Sequence, residues 1–239
     1  MNRKQTITHL RLALLALAAV MMPAGVAQAG VLNIDFTRFT EKPTTFDMSQ
    51  IGGLDWVIWD GLKDDEMQVF DQKLDDTAIG IAEGFDGGFG RQGIALFSWS
   101  DGKNEPSASS KNPNNVANTD QGSKSFTFDV DVAEAGSYTL SVIMGVYATN
   151  TSTQVATLNG SSATANFTAG SNFGPANYAL VEVDFTTTGA DTLTFTGNEG
   201  NNNGNTFLVG AGVSVIPEPG VPALLGLGMA ITLMRRRVA

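Results

Sequence analysis

The feature that most constrains the fold is a two-residue alternation of apolar and polar side chains in the middle of the chain. Residues 125–132 read SFTFDVDV and place Phe126, Phe128, Val130 and Val132 on one side. Residues 31–39 read VLNIDFTRF, with Leu32, Ile34 and Phe36 on the side predicted to be buried. A period of two is the period of a β-strand with one buried face, whereas an amphipathic helix repeats every 3.6 residues.

Similar short runs recur through the middle of the chain, separated by Gly, Asn, Asp and Pro. The Asn159-Gly160 pair between two such runs predicts a tight hairpin. We therefore predict about ten or eleven strands in an all-β domain, arranged as an antiparallel two-sheet β-sandwich of jelly-roll type. Besides the two runs above, the predicted strands are 54–59, 77–82, 93–99, 136–148, 153–158, 162–167, 179–186, 191–196 and 207–215.

Charge and composition exclude several kinds of function for this middle region. Residues 30–216 carry eight basic and 23 acidic side chains, a net charge of −15, which disfavours nucleic acid as a partner. The chain has no Cys, and its one His, His9, lies in the leading segment. Disulfides, Ser-His-Asp catalysis, zinc sites with His or Cys ligands and haem ligation are therefore excluded from this region.

The first 29 residues have the three parts of a secretory signal peptide. Arg3, Lys4 and Arg11 form a positive region, residues 12–20 (LALLALAAV) an apolar stretch, and Ala27 and Ala29 supply the small side chains of a cleavage site. We predict a signal helix that is removed after Ala29. The alternative is a retained membrane anchor, for which the apolar stretch is short.

The other end combines a polar turn, an apolar segment and a basic terminus. Residues 215–220 read VIPEPG, residues 221–234 are apolar, and three arginines follow. In this order the three parts resemble the PEP-CTERM sorting signal of Gram-negative bacteria. The residues that carry the resemblance are Pro217, Glu218, Pro219, Arg235, Arg236 and Arg237.

Together with the signal peptide at 1–29 and the sandwich at 30–214, the resemblance divides the chain into three parts, the last a sorting signal at 215–239 with a short hydrophobic transmembrane helix at 221–234. It also implies processing by an exosortase-type enzyme, a transient stay in the inner membrane, and delivery to the cell surface or the extracellular matrix. The alternative is a plain C-terminal membrane anchor.

The three tryptophans are the candidate ligand-binding side chains, because sugar rings pack against flat aromatic faces. Trp56, Trp59 and Trp99 each lie within three residues of an Asp. Strand alternation puts Trp56 and Trp59 on opposite faces, so they cannot share one platform. The alternative is core packing. A binding role predicts that at least one of the three is more than half exposed in a cleft.

The order of these segments, from LDWVIWDG through ALFSWSDG to GADTLTFT, is similar to galactose-binding-like jelly rolls and carbohydrate-binding modules. The resemblance implies polysaccharide binding and tentative ligand contacts at Trp56, Trp59, Trp99, Asp101 and Tyr147. It implies no cofactor other than a structural Ca²⁺.

An acidic stretch is the candidate metal site. Ca²⁺ takes six to eight oxygen ligands, but the spacing is not that of an EF-hand. The alternative is a solvated surface loop. The acids of this stretch are Asp60, Asp64, Asp65, Glu66, Asp71, Asp75 and Asp76.

Taken together, the sequence predicts an exported, non-enzymatic β-sandwich that is associated with the cell surface or matrix and binds exopolysaccharide. Two alternatives stay open. One is a secreted carbohydrate-active enzyme that uses paired carboxylates. The other is a structural matrix protein without a specific ligand.

Overall fold

The structure, a computed structural model, describes residues 29–40, 44–61, 67–74, 78–84, 88–89, 95–112, 116–118, 125–146, 151–168, 177–199 and 206–217. Within them lie fifteen strands and one short helix, α1 (Met48–Ile51). The strands are β1 (Gly30–Arg38), β2 (Thr44–Asp47), β3 (Asp55–Gly61), β4 (Met67–Gln72), β5 (Gly88–Phe89), β6 (Ala95–Trp99), β7 (Ala108–Lys111), β8 (Val116–Asn118), β9 (Ser125–Val132), β10 (Gly136–Val146), β11 (Thr151–Leu158), β12 (Ser161–Thr168), β13 (Tyr178–Thr187), β14 (Asp191–Glu199) and β15 (Thr206–Val215).

The strands form three sheets. The largest has the order β1-β13-β10-β15-β3-β4, with β8 pairing to β15 and β5 to β8; the second has the order β12-β11-β14-β9. Both consist of antiparallel pairs. A small third sheet, β2-β6-β7, contains a parallel pair, β2 with β6. The predicted all-β sandwich is confirmed, and the third sheet is an addition to it.

The main core lies between the largest sheet and the four-stranded sheet. The alternation in β9 buries Phe126, Phe128, Val130 and Val132, as the sequence predicts. The inward side chains of β10, β13, β14 and β15 complete this core. Burial of apolar area at about 25 cal/mol per Å² is the force that holds the two sheets together.

A second core lies on the other side of the largest sheet, under the three-stranded sheet and α1. It contains Met48 from α1, Trp56 from β3, and Phe97 and Trp99 from β6. Helix α1 begins at Asp47, whose side chain accepts a hydrogen bond from the backbone N–H of Ser49 at 3.1 Å. Because β3 is covered on both faces, all of residues 55–60 are buried.

Several local predictions have clear outcomes. The hairpin between β11 and β12 is confirmed, with Asn159 at φ 49° and Gly160 at φ 78°, the positive values that such a two-residue turn requires. Phe39 directly follows β1, and the alternation of residues 31–39 predicts it on the side opposite Leu32, Ile34 and Phe36, which is the exposed side. It is only 6% exposed, because it packs in the second core. The predicted strand at 77–82 is reduced to isolated bridges of residues 78–84 with β9.

The described part of the chain enters and leaves the sandwich at the same end. Gly30, which begins β1, lies opposite Thr186, and Thr186 lies opposite Ser137. Just after β15, the backbone N–H of Ile216 donates to the carbonyl of Ser137 at 2.8 Å. The two ends are therefore three strands apart on one rim, about 14 Å at the usual strand spacing.

The predicted terminal signals lie almost entirely outside the described residues. These include Ala27, the predicted helix at 221–234, and Glu218, Pro219, Arg235, Arg236 and Arg237. Among the described residues, no helix has the length and apolar character that crossing a membrane requires.

Candidate functional site

The three tryptophans are buried. Trp56 and Trp99 pack against each other in the second core with ring centroids 5.4 Å apart, and Trp59 packs on Phe128 in the main core. The prediction that Trp56 and Trp59 lie on opposite faces of β3 is confirmed. Their exposed fractions are 0% for Trp56, 1% for Trp59 and 3% for Trp99, so the prediction that one is more than half exposed is wrong. The reason is the third sheet, which covers the face of β3 that would be outermost in a two-layer sandwich.

Trp59 also borders a small apolar cleft on the side of the sandwich where β4 faces residues 78–84. The cleft has a volume of about 220 Å³, and its rim carries Val69 and Ile81, the latter 77% exposed. Since Trp59 itself is almost fully covered, the cleft does not present an aromatic face to a ligand.

Asp101 holds three elements together. Its Oδ1 accepts hydrogen bonds from Ser49 Oγ at 2.6 Å and from Trp56 Nε1 at 3.0 Å, and its Oδ2 lies 2.9 Å from Lys73 Nζ. Lys73 Nζ also donates to the carbonyl of Gly53 at 2.6 Å. Partial burial raises the pKa of Asp101, but the hydrogen bonds from Ser49, Lys73 and Trp56 and the positive charge of Lys73 outweigh it, so the pKa is lowered from 3.8. This carboxylate is occupied by its own protein partners.

In the acidic stretch, Asp71 has a similar structural role. Its two carboxylate oxygens accept backbone hydrogen bonds from Gln72, Asn104 and Glu105 at 2.8–3.2 Å, which fixes the loop after β6. The described residues contain no group of three or more acidic or His side chains that could hold a metal ion. The Ca²⁺ site stays a prediction, because most of its acids lie outside the described residues: Asp64, Asp65, Glu66, Asp75 and Asp76. Tyr147, a predicted sugar contact, also lies outside the described residues.

The outer face of the four-stranded sheet, which we call the hydroxyl face, is a uniformly polar surface apart from one residue. None of its side chains is buried, and all but Val155 are polar. Nine are Thr, and along each strand they alternate with inward core residues. The hydroxyl face consists of Ser125, Thr127, Asp129 and Asp131 on β9, Thr192, Thr194, Thr196 and Asn198 on β14, Thr151, Thr153, Val155 and Thr157 on β11, and Ser162, Thr164, Asn166 and Thr168 on β12.

Strand register aligns these side chains in rows across the sheet. One row contains Ser162, Thr157, Thr194 and Asp129, each directly opposite the next. The next row contains Thr164, Val155, Thr196 and Thr127. Neighbouring members of a row are about 4.8 Å apart, and neighbouring rows are about 6.8 Å apart, because outward residues recur every second position.

Hydrogen bonds within the face fix the orientation of its side chains. Thr194 Oγ1 donates to Asp129 Oδ1 at 2.7 Å, and Thr192 Oγ1 donates to Asp131 Oδ1 at 2.5 Å. Thr127 and Thr196 share a bond of 2.9 Å between their hydroxyls. These bonds use hydroxyl protons inside the face, and the hydroxyl and carboxylate oxygens keep lone pairs that can accept further hydrogen bonds. No Lys or Arg belongs to the face as defined above, so its charge comes from Asp129 and Asp131 alone.

Sequence reasoning missed this face although its signal was present. Thr192, Thr194 and Thr196 alternate with Leu193 and Phe195, the same two-residue period that identified the core. The apolar half of this two-residue period identifies the buried side chains. Its polar half defines a surface as regular as the core beneath it.

Comparisons with known proteins give distant likenesses. No protein-family model matches the chain, and no curated protein matches it. Similar solved structures include TmCBM61 in complex with beta-1,4-galactotriose, with a TM-score of 0.34, 16% identity, and coverage of 43% of this chain and 72% of that one. Another is a family 35 carbohydrate binding module from an environmental isolate, with a TM-score of 0.32, 18% identity, and coverage of 44% and 80%. At these scores the likeness carries no argument about a ligand.

Proposed function

We propose that this protein is a non-enzymatic β-sandwich that binds polysaccharide through the hydroxyl face. The observation that carries the proposal is the face itself: sixteen outward side chains on four strands, fifteen of them polar, in rows that the register aligns. A polysaccharide is an extended ligand with hydroxyls at regular intervals. An array of oxygen atoms in aligned rows matches that regularity.

The energetics favour a ligand that makes many contacts at once. A single hydrogen bond contributes only about 0.5–1.5 kcal/mol net, because each group must first give up water. The bonds that Thr194 and Thr192 donate to their neighbouring carboxylates already order those side chains. Such preorganisation lowers the entropy cost of binding. A polymer that engages several rows therefore gains affinity that a single sugar does not.

Three carboxylates that hold the fold together support a binding role rather than catalysis. Asp55 accepts backbone hydrogen bonds from Trp56 at 2.8 Å and Ala78 at 2.6 Å. Asp71 accepts backbone hydrogen bonds in the same way, and Asp101 accepts side-chain hydrogen bonds from Ser49 and Trp56. Glycoside hydrolysis needs one carboxyl to protonate the leaving group and a second to assist attack, and these three groups are already committed to holding the fold.

The test is native electrophoresis of the purified protein in gels that contain a soluble neutral polysaccharide, such as hydroxyethyl cellulose or β-1,4-galactan, with an assay for reducing ends on the same mixtures. We expect retarded migration and no new reducing ends. The variant Thr194→Val, which removes one hydroxyl at nearly constant shape, should migrate faster. The matched control is Thr37→Val, an exposed Thr on β1 in the other sheet. Retardation that is the same for both variants, or turnover, would contradict the proposal.

We also propose that the protein is exported, sorted through its PEP-CTERM-like tail and cut near both ends. The support is the order of motif, apolar segment and terminal arginines in the sequence. The intact mass of the protein recovered from culture supernatant measures both cuts at once. We expect a mass that corresponds to removal of residues 1–29 and of the segment after the Pro-Glu-Pro motif. Full-length protein in the cytosol would contradict this proposal and leave the binding proposal unaffected.

A further inference from the structure

We infer that the hydroxyl face binds a neutral, extended polysaccharide chain that runs across the strands and covers four sugar units. This inference rests on the proposed function and specifies its ligand class and footprint. It uses two observations, the donor and acceptor balance of the face and the spacing of its rows.

The balance of donors and acceptors selects the ligand class. Thr194 and Thr192 direct their protons to Asp129 and Asp131, and Thr153 Oγ1 donates to Asn166 Oδ1 at 2.8 Å. Toward a ligand, the oxygens of these three Thr and two Asp side chains are therefore acceptors, and the two Asp are negatively charged, whereas Asn166 Nδ2 and the hydroxyls of Thr157 and Ser162 can also donate. Sugar hydroxyls supply the missing donors, and their bonds to carboxylates are charge-assisted. Uronate and sulfate groups bring further acceptors and negative charge, so an anionic chain is disfavoured.

The spacing of the rows selects the direction of the chain. Along a row, side chains recur about every 4.8 Å, which is close to the length of one pyranose unit in an extended β-1,4-linked chain. Along a strand they recur about every 6.8 Å, which does not match that length. With the chain across the strands, two neighbouring rows flank each ring, and Val155 offers an apolar contact to its C–H groups.

The width of the sheet sets the footprint at four units. The row Ser162, Thr157, Thr194, Asp129 has one side chain per strand. Beyond Asp129 the next backbone is Gly80, whose N–H donates to the Asp129 carbonyl at 2.8 Å and which has no side chain. In the neighbouring row, Thr127 lies opposite the exposed Glu83, whose carboxylate ends that row. A chain that instead ran along β11 would find outward side chains over eight residues, about 27 Å, and would continue to gain contacts beyond four units.

The experiment is a calorimetric titration of the full chain with cello-, manno-, xylo- and chito-oligosaccharides of two to six units. For the sugar that binds best, each added unit should raise affinity about fivefold up to four units. From four to six units the gain should stay within about threefold, the statistical benefit of extra registers. The double variant T157V/T194V, within one row, should lower affinity for the tetrasaccharide about tenfold, whereas T37V should leave it unchanged.

Each outcome separates the inference from the proposed function. Affinity that keeps rising from four to six units by more than about threefold would overturn the footprint while polysaccharide binding stands. Retention on alginate or polygalacturonate but not on the neutral polymers would overturn the ligand class in the same way. Absence of retention on every polymer and of heat with every oligosaccharide would overturn the proposed function itself.

Discussion

Replacing Asp101 with Ala should destabilise the protein well beyond the usual effect of a surface substitution. The carboxylate accepts hydrogen bonds from Ser49 and Trp56 and pairs with Lys73, joining α1, β3 and the loop after β4 to the loop after β6. Each hydrogen bond to a charged group contributes about 1.5–3 kcal/mol. The three share one carboxylate that is 32% exposed, so water replaces part of the loss. We expect a cost of about 2–4 kcal/mol, or a fall in Tm of about 5–15 °C.

Urea unfolding followed by tryptophan fluorescence measures this cost directly, because Trp56 loses the acceptor of its indole N–H. The matched control is Asp129→Ala, which removes an exposed carboxylate that accepts a hydrogen bond from Thr194, and should cost less than about 1 kcal/mol. If Asp101→Ala unfolds at the same urea concentration as the control, the carboxylate does not hold the small sheet to the large one.

Three further predictions concern stability. The pKa of Asp101 is lowered in the folded state, so the stability that its carboxylate contributes is present above the pKa of the unfolded chain and is lost as pH falls through the pKa of the folded protein. The difference in unfolding free energy between wild type and D101N should therefore shrink below pH 3.8. A difference that widens there would contradict this. Gly197→Ala would place a Cβ 2.4 Å from the ring of Phe126 and should cost about 1–3 kcal/mol in urea unfolding, whereas Gly189→Ala, with nothing within 4 Å, should be nearly neutral. No described residue donates to the buried Oε1 of Gln154, whereas its Nε2 donates to Ser152 Oγ at 2.9 Å. Gln154→Met removes both groups, and we expect the gain from the unpaired oxygen to outweigh the lost bond and raise the urea midpoint by the equivalent of up to about 1 kcal/mol. A clear fall would show that the bond to Ser152 stabilises the fold by more than burial of the oxygen costs.

The sequence was sufficient for the two main sheets because their strands have one buried face and a clear period of two. Strand β9 and the β11–β12 hairpin show this most plainly, since an alternating pattern and an Asn-Gly turn are local signals. Local signals do not reveal how strands from distant parts of the chain pair. Strand β2 is four residues long and pairs in parallel with β6, and its sequence carries no local signal of that pairing. Strand β4 lies in a stretch whose acidic residues are typical of a surface loop.

The candidate site was missed for a related reason. With two sheets, one of the opposite faces that carry Trp56 and Trp59 must be outermost, so an exposed tryptophan was a fair expectation. The third sheet, which the sequence did not reveal, covers Trp56. The indole N–H of Trp56 donates to Asp101, which holds the ring in that position. The face that does remain open is made of Thr, Ser, Asn and Asp, residue types that a search for aromatic platforms passes over.

That the first and last described strands end on one rim has a geometric consequence for how the domain is presented. Any surface that holds the segments before residue 29 and after residue 217 holds the domain by a single edge, with its strands standing upright on that surface. The aligned rows of the four-stranded sheet then run roughly level with the support, within the tilt of about 30° between packed sheets. A polysaccharide chain bound along these rows would therefore lie parallel to the surface that holds the domain, rather than perpendicular to it.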